Sequence, residues 1–308
     1  MASVASDLGS ASGARQRVPR RRPFDAFPYG MVAAVVILEV LFVAVPLLIG
    51  AWYSLHKVDY LQLGRFVGLE NFWWVLNSRS VRNAFLVTSI FSFFALFFTF
   101  LSGFGLALLL ERDSRLHVFG RAVVLIPYVI SMLVGSMLLK WLFSPDGGVS
   151  SLLLTPLGMA DTSILADPEN AMAALVFNAV WRDSAFAMIL LMAGLKAVPL
   201  QLYQAAKVDG ASAFYRFRRI TLPLMRVPIL VTLVRLLIHF VNVLTFALVL
   251  TSGGPNETTN TLGLELYRIG FIDFRFGQAN ALAILVFIFN ILLVLLVVRL
   301  FEQKRGRF

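Results

Sequence analysis

Apolar residues run along this chain in long blocks separated by polar connections. Six blocks stand out: Met31–Ala51, Ala84–Leu110, Ala122–Leu139, Ala171–Leu195, Val227–Leu250 and Ala279–Val298. A bilayer core takes about 20 apolar residues per helix. The pattern therefore predicts an all-α, polytopic membrane protein with six transmembrane helices and both ends on one side. A signal peptide's apolar region runs about 7–15 residues. The first block is longer and carries a single charge, Glu39, so it reads as an uncleaved span. Ahead of it, residues 1–28 are small, polar and basic, and read as a disordered tail.

Composition narrows the class further. The chain is 59% hydrophobic and 14% charged, with a mean hydropathy of +0.81. That excludes a soluble globule and a disordered chain. Cysteine is absent, which removes disulfides, thiolate metal sites and cysteine nucleophiles. The net charge of +10 is topology signal before it is nucleic-acid affinity.

Orientation follows from where the basic residues fall. With the amino terminus in the cytoplasm, the inner segments are Arg15–Arg22, Arg112–Arg121, Lys196–Arg226 and Arg299–Arg307. They hold 18 Lys and Arg residues, against six outside (Lys57, Arg65, Arg79, Arg82, Arg268 and Arg275). The Ser144–Asn170 connection has four acids and no base, as an outer loop should. Trp52, Tyr53, Trp73, Trp74 and Trp141 fall near outer ends, where an aromatic belt sits. Residues 302–308 form a basic tail.

The inner segment from Pro199 to Arg226 is too long and too patterned for a linker. Leu202, Ala205, Ala206, Val208 and Asp209 predict a short helix, which Gly210 ends in a turn of positive φ. Ala211–Ile220 predicts a second, with Phe214, Phe217 and Ile220 at helical spacing. Pro223 closes the segment before the fifth span. On pattern alone, the pair is either a docking knob or two amphipathic helices lying on the membrane.

Gln204, Ala205, Ala206, Gly210, Ile220, Leu222 and Pro223 fit the spacing EAA-x3-G-x9-I-x-L-P. That spacing resembles the permease subunits of binding-protein-dependent ABC importers. The first position departs, with Gln204 in place of Glu. RFVGLENF at 65–72 and LTSGGPNETTNTL at 250–262 are similar to the sugar-importer branch, and to its first permease of the maltose and glycerol-phosphate type. The resemblance runs from about Pro28 to Arg299 and implies a set of partners. These are a second, homologous permease, two ATPase subunits that hold ATP and Mg, and an extracytoplasmic substrate-binding protein. It also implies that the 199–226 loop, Asp209 included, carries a coupling helix seated in an ATPase cleft. There Phe214 and Phe217 fill apolar pockets, and Gln204 keeps a hydrogen bond but loses the charge assistance of a glutamate. The loops after the fifth span, at Gly253–Pro255, meet the binding protein in importers of this kind.

No lysine follows a glycine, so a phosphate-cradling Gly-Lys pair is absent and ATP hydrolysis falls to another chain. His56, His117 and His239 lack metal-ligand spacing. This chain is therefore read as no enzyme, holding no cofactor or metal of its own. Ionisable groups inside spans are costly and are functional candidates by default. Arg182 and Asp183 lie in the fourth block, about 17 Å from its outer end. Arg235 lies about 12 Å into the fifth, and His239 and Asn242 share its helix face. Together with Trp181 and Phe246, whose rings suit a sugar's apolar face, they form a candidate substrate path near the midplane. The competing reading of the same groups is structural pairing between helices. The function expected is the membrane-spanning subunit of an importer for a sugar or polyol in the inner membrane. The alternative is a secondary transporter or channel acting alone.

Overall fold

A computed structural model describes residues 27–144 and 164–302. The basic amino-terminal segment, most of the Ser144–Asn170 connection and the carboxy-terminal tail lie outside the described residues. The chain divides into a unit ending at Ile49 and a unit starting at Gly50. The first contains α1 (Phe27–Glu39), a π-helical turn (Val40–Ala44) and the start of α2 (Val45–Ser54). The stretch Gly30–Ser54 has a mean hydropathy of 2.9, ample for a span.

The second unit opens with a departure from the all-helical expectation. Strands β1 (His56–Asp59) and β2 (Gln62–Phe66) pair antiparallel, with His56 opposite Phe66 and Asp59 opposite Gln62. Tyr60 and Leu61 make the turn at φ 50° and 63°. Hairpin turns of that hand favour Asn-Gly, so this one carries no sequence signal. Asn71, on α3 (Glu70–Asn77), ties the hairpin down by donating to the carbonyls of Ser54 and His56, each at 2.9 Å.

The centre of the fold is the seam between α4 (Arg79–Leu109) and α7 (Pro168–Lys196). On α4, Ala95, Thr99, Gly103 and Ala107 repeat every four residues and are all buried. Small side chains at that spacing let two membrane helices approach closely. A Cβ on Gly103 would stand 2.4 Å from Cβ of Ala187, so only glycine fits. Beside it the hydroxyls of Ser102 and Ser184 meet at 2.6 Å. The opposite face of α4 exposes Phe93, Phe94, Phe97 and Phe98, as lipid contact requires.

Among the described residues, four helices are long and apolar enough to cross a membrane, and two bent pairs bring the total to as many as six. The third block is not one straight span. It is α5 (Arg115–Val129) and α6 (Met132–Leu142), bent by 94° at Ile130–Ser131. Pro127 lies inside α5 and has no N–H to give, and Ile130 at the break is extended. The fifth block also departs from its expected bounds. Its helix, α11 (Arg226–Asn242), stops at Asn242, and α12 (Thr245–Leu250) follows after Val243–Leu244. At its other end, α11 joins the preceding segment Ala213–Leu224 at a 65° bend. On the side of α3, the start of α4 packs with α13 (Leu262–Tyr267) and α14 (Phe276–Glu302) around Val75, Val81, Leu262, Ile269 and Leu282.

Candidate coupling surface and translocation path

Two regions hold the residues singled out from the sequence. The first lies between α7 and α11. Helix α8 (Leu200–Val208) ends in a Schellman turn. Ala211 N donates to Ala206 O at 2.9 Å, and Gly210 N donates to Lys207 O at 3.1 Å. Gly210 takes φ +74°, as its residue type led one to expect, and open space surrounds the position of its missing Cβ. Ser212 then caps α9 (Ala213–Arg216), accepting from Tyr215 N at 3.2 Å. A π-helical turn (Phe217–Thr221) and α10 (Leu222–Leu224) lead to Met225. Pro223 sits inside that last short helix, and the break falls two residues later, at Met225.

The two halves of this segment are clasped by Tyr203 and Thr221, whose hydroxyls meet at 2.8 Å. Thr221 and Met225 are buried. Phe217 turns inward, its ring 6.0 Å from that of Phe104 on α4. It is therefore half spent inside the chain and does not protrude as Phe214 does. Phe214 is 71% exposed and Val208 89% exposed, while Gln204, Ala205, Asp209 and Pro223 are also open to the surroundings. Ala206, Ile220 and Leu222 are half-buried. The segment is thus an ordered knob with a buried root and an exposed apolar crown.

A brace lies at the root. Arg121 donates to the carbonyls of Leu110 and Arg112, at 2.8 and 2.6 Å, and closes the carboxy-terminal end of α4. Lys196, at the end of α7, and Arg121 both reach Asp113 at 2.9 Å. The Lys196 hydrogen bond, with Arg121 beside it, holds the Asp113 carboxyl below the usual carboxylate range.

The second region is the middle of α7 and α11. Gly194 on α7 meets Pro228 on α11, where a Cβ would stand 2.6 Å from the proline ring. Eleven residues away along each helix, Asp183 and His239 stand 3.4 Å apart. Antiparallel helices with one rise per residue require equal offsets from a shared contact, and these two contacts supply them. Both groups are largely buried, so the pair joins the helices at mid-depth.

Arg182 is the central residue of the 29-residue α7. Its Nη1 donates to Pro127 O at 3.2 Å and to Ile130 O at 2.6 Å, the carbonyls freed at the 94° bend. In a bilayer such carbonyls have no water to bond, so this arginine completes the broken helix. Its guanidinium lies 5.5 Å from the Tyr128 ring, and Trp181 packs beside Gly135. Arg235 is exposed, with its guanidinium 5.1 Å from the Phe186 ring. Asn242 does not join this group. It trades amide hydrogen bonds with Asn290 of α14 at 3.3 and 3.2 Å. Phe246 is fully buried and sits edge-on to His239, so it has no face free for a sugar.

The sequence reading overlooked a buried carboxylate, Glu265, which accepts from Asn260 Nδ2 at 2.7 Å. The polar run Thr258–Thr261 held no periodicity to mark it. Around it the turn at Gly253–Pro255 is ordered, with Arg268 donating to Ser252 O at 2.7 Å and Asn83 to Glu257 O at 2.9 Å. Among the described residues no group of His, Cys, Asp and Glu side chains is placed to hold a metal.

A small-residue seam, bent spans and an ordered knob between two helices together describe a polytopic membrane bundle. Residues 31–307 match the family described as binding-protein-dependent transport system inner membrane component, and the chain belongs to that family. It is 32% identical to the trehalose/maltose transport system permease protein MalF of Thermococcus litoralis, over 89% of this chain and 94% of that one. It is also 32% identical to the sn-glycerol-3-phosphate transport system permease protein UgpA of Agrobacterium fabrum, over 92% of this chain and 97% of that one. In fold it is similar to a chain of a bacterial ABC transporter for the import of the acidic polysaccharide alginate. The TM-score is 0.80 at 24% identity, covering 91% of this chain and 96% of that one. The chain is thus a membrane-spanning subunit of an ABC importer.

Proposed function

We propose that this subunit lines the path of a sugar or polyol and is driven through the 199–226 knob by a separate ATPase. The observation that carries the reading is the knob itself, with its buried root at Thr221 and Met225 and its exposed crown at Val208 and Phe214. A surface helix pair meant for lipid would lay its apolar side flat along the bilayer. Here the apolar residues stand on a turn fixed by Gly210, a shape suited to a cleft. Relatives named for trehalose, maltose and glycerol phosphate support the substrate class.

In this reading two ATPase subunits bind ATP and Mg and close on one another. Their clefts carry the knobs of this chain and of a second, homologous permease. Helices α7 and α11, joined at Gly194–Pro228 and Asp183–His239, rock as a body and alternate the opening of the path. An extracytoplasmic binding protein delivers substrate at the outer loops, and both termini of this chain lie in the cytoplasm of an inner-membrane assembly. Lipid covers the outer faces.

The test is a mild-detergent pull-down of the tagged chain from native membranes, with every co-purifying protein identified. The expected result is an ATPase and a second multi-span permease. Recovery of the chain alone, monodisperse and stable, would overturn the reading in favour of a transporter driven by ions or protons.

A further inference from the structure

The hairpin of β1 and β2 has a third neighbour. Asp59 bridges to Arg275, and Tyr60 N donates to Phe274 O at 2.9 Å, so the segment before α14 flanks β1 on the side away from β2. Arg65 on β2 and Arg275 are therefore separated by two strand spacings and about two residues along β1, a backbone distance of about 12 Å. Both long side chains line one cleft of about 480 Å³, together with Lys57, Glu70, Trp74 and Gln278. Small-molecule sites run to about 300–1,000 Å³. Lys57 is paired with Asp59 at 3.6 Å. Among the described residues neither Arg65 nor Arg275 has a carboxylate within ion-pair distance, and Arg275 rests on the Trp74 ring at 5.8 Å. Glu70 is the one unpaired carboxylate of the cleft, so one positive charge is left uncovered. Gln278 Oε1 is buried in the wall with no hydrogen-bond partner among the described residues.

Three span ends place this cleft at the depth of lipid headgroups. Lys57 follows the apolar stretch Gly30–Ser54 by three residues, Arg275 immediately precedes Phe276–Phe301, and Ser78 alone separates α3 from α4. Glu70 and Trp74 also wall a second, apolar cleft of about 540 Å³ that runs along Leu69 and Trp73, both well exposed. We propose that the two clefts together bind one phospholipid. Its phosphodiester accepts from Arg65 and Arg275 with charge assistance, and an acyl chain lies along Leu69 and Trp73. The single negative charge of a phosphodiester closes the charge balance of the polar cleft. A headgroup hydroxyl supplies the donor that Gln278 Oε1 lacks. Phosphatidylglycerol meets both demands. Phosphatidylcholine carries its own balancing cation and has no donor. An acidic patch of a soluble partner would meet the same arginines, but it would leave the Leu69–Trp73 cleft uncovered. The site concerns the surrounding membrane and holds whatever solute the importer carries.

The test is native mass spectrometry of the complete assembly, delipidated in detergent and titrated with phosphatidylglycerol or phosphatidylcholine. The parent should hold one tightly bound phosphatidylglycerol per copy of this chain and prefer it about tenfold over phosphatidylcholine. The double variant Arg65→Gln/Arg275→Gln should lose that molecule, with affinity down about tenfold or more. Its melting temperature should match the parent's, because both side chains are exposed. Glu70→Gln removes the like charge and should tighten phosphatidylglycerol about threefold, a gain that no misfolded variant produces. An excess of sn-glycerol 3-phosphate should leave the lipid in place. Displacement by it would mark a site for free phosphate and overturn the lipid. Equal binding of phosphatidylcholine, a double variant with its full complement of phosphatidylglycerol, or an unmoved affinity in Glu70→Gln each overturns the proposal. A double variant that keeps its lipid but no longer recovers a soluble binding protein assigns the arginines to that partner instead.

Discussion

The knob between α7 and α11 and the mid-depth cluster on the same two helices use similar residue types in opposite ways. In the knob, Val208 and Phe214 are apolar and exposed, and Gln204 and Asp209 are open. In the cluster, Asp183 and Phe246 are buried, and Arg182 spends two hydrogen bonds on the backbone of a bent helix. A surface whose apolar and polar groups remain unspent expects something else to cover it. A cluster whose groups are partly spent within the chain positions helices first, and acts on a ligand only through what is left over. Residue types alone do not separate these cases; in the sequence it was the spacing of the loop, not its composition, that marked the knob, and the in-span groups carried no such spacing.

Five substitutions, one of them a control, test the contrast, in order of expected effect. Gly103→Leu should do most damage, because the new side chain meets Ala187 across the α4–α7 seam. Overpacking of this kind costs about 1–3 kcal/mol or more, and the variant should melt well below the parent in detergent. A parent-like melting temperature would mean that the seam is looser than it looks. Gly210→Val should abolish uptake while the chain still inserts. The positive φ costs a side chain about 1–2 kcal/mol locally, enough to unwind the turn but not the bundle. Normal uptake in that variant would remove the knob from the coupling machinery.

Phe214→Ala should leave the melting temperature of the isolated chain within a degree or two, since the ring is exposed. ATPase recovery in a pull-down should fall about tenfold, as for an anchor residue at an interface. Phe217→Ala makes the control. Its ring leans on Phe104, so it should lower the melting temperature as well. Smallest of all is Asp113→Asn. The Asp113 carboxyl is held below its ordinary range by Lys196 and Arg121, so its contribution to stability is present above the unfolded carboxylate's pKa of about 4. It is lost as the pH falls from there through the lowered folded value. The gap in melting temperature between parent and variant should be small at neutral pH and close below about pH 4. A gap that widens on acidification would contradict the pairing seen at the brace.

Much of this was legible in the sequence, for reasons that can be named. Long apolar blocks have few ways to satisfy their backbone in lipid, so they announced helices. Gly210 announced its turn because the positive φ that ends α8 favours that residue. The failures are equally physical. The hairpin at 56–66 turns through Tyr60 and Leu61, residues that usually avoid that conformation, so tertiary contacts rather than local preference must hold it. The bend at Ile130–Ser131 had a signal in Pro127, but hydropathy cannot tell a straight span from a bent one. Phe246 looked like a stacking ring because aromatic residues serve cores and sugars alike. Only its complete burial decides between them.

The offsets of Gly194–Pro228 and Asp183–His239 have a mechanical meaning. Two contacts about 16 Å apart on the same pair of rods resist sliding and scissoring between them. In the proposed coupling, a swing of the knob would turn both helices together, with the buried Met225 at the elbow where the knob meets α11. A displacement imposed at Phe214 would then carry Arg182 and Arg235 with the helices that hold them.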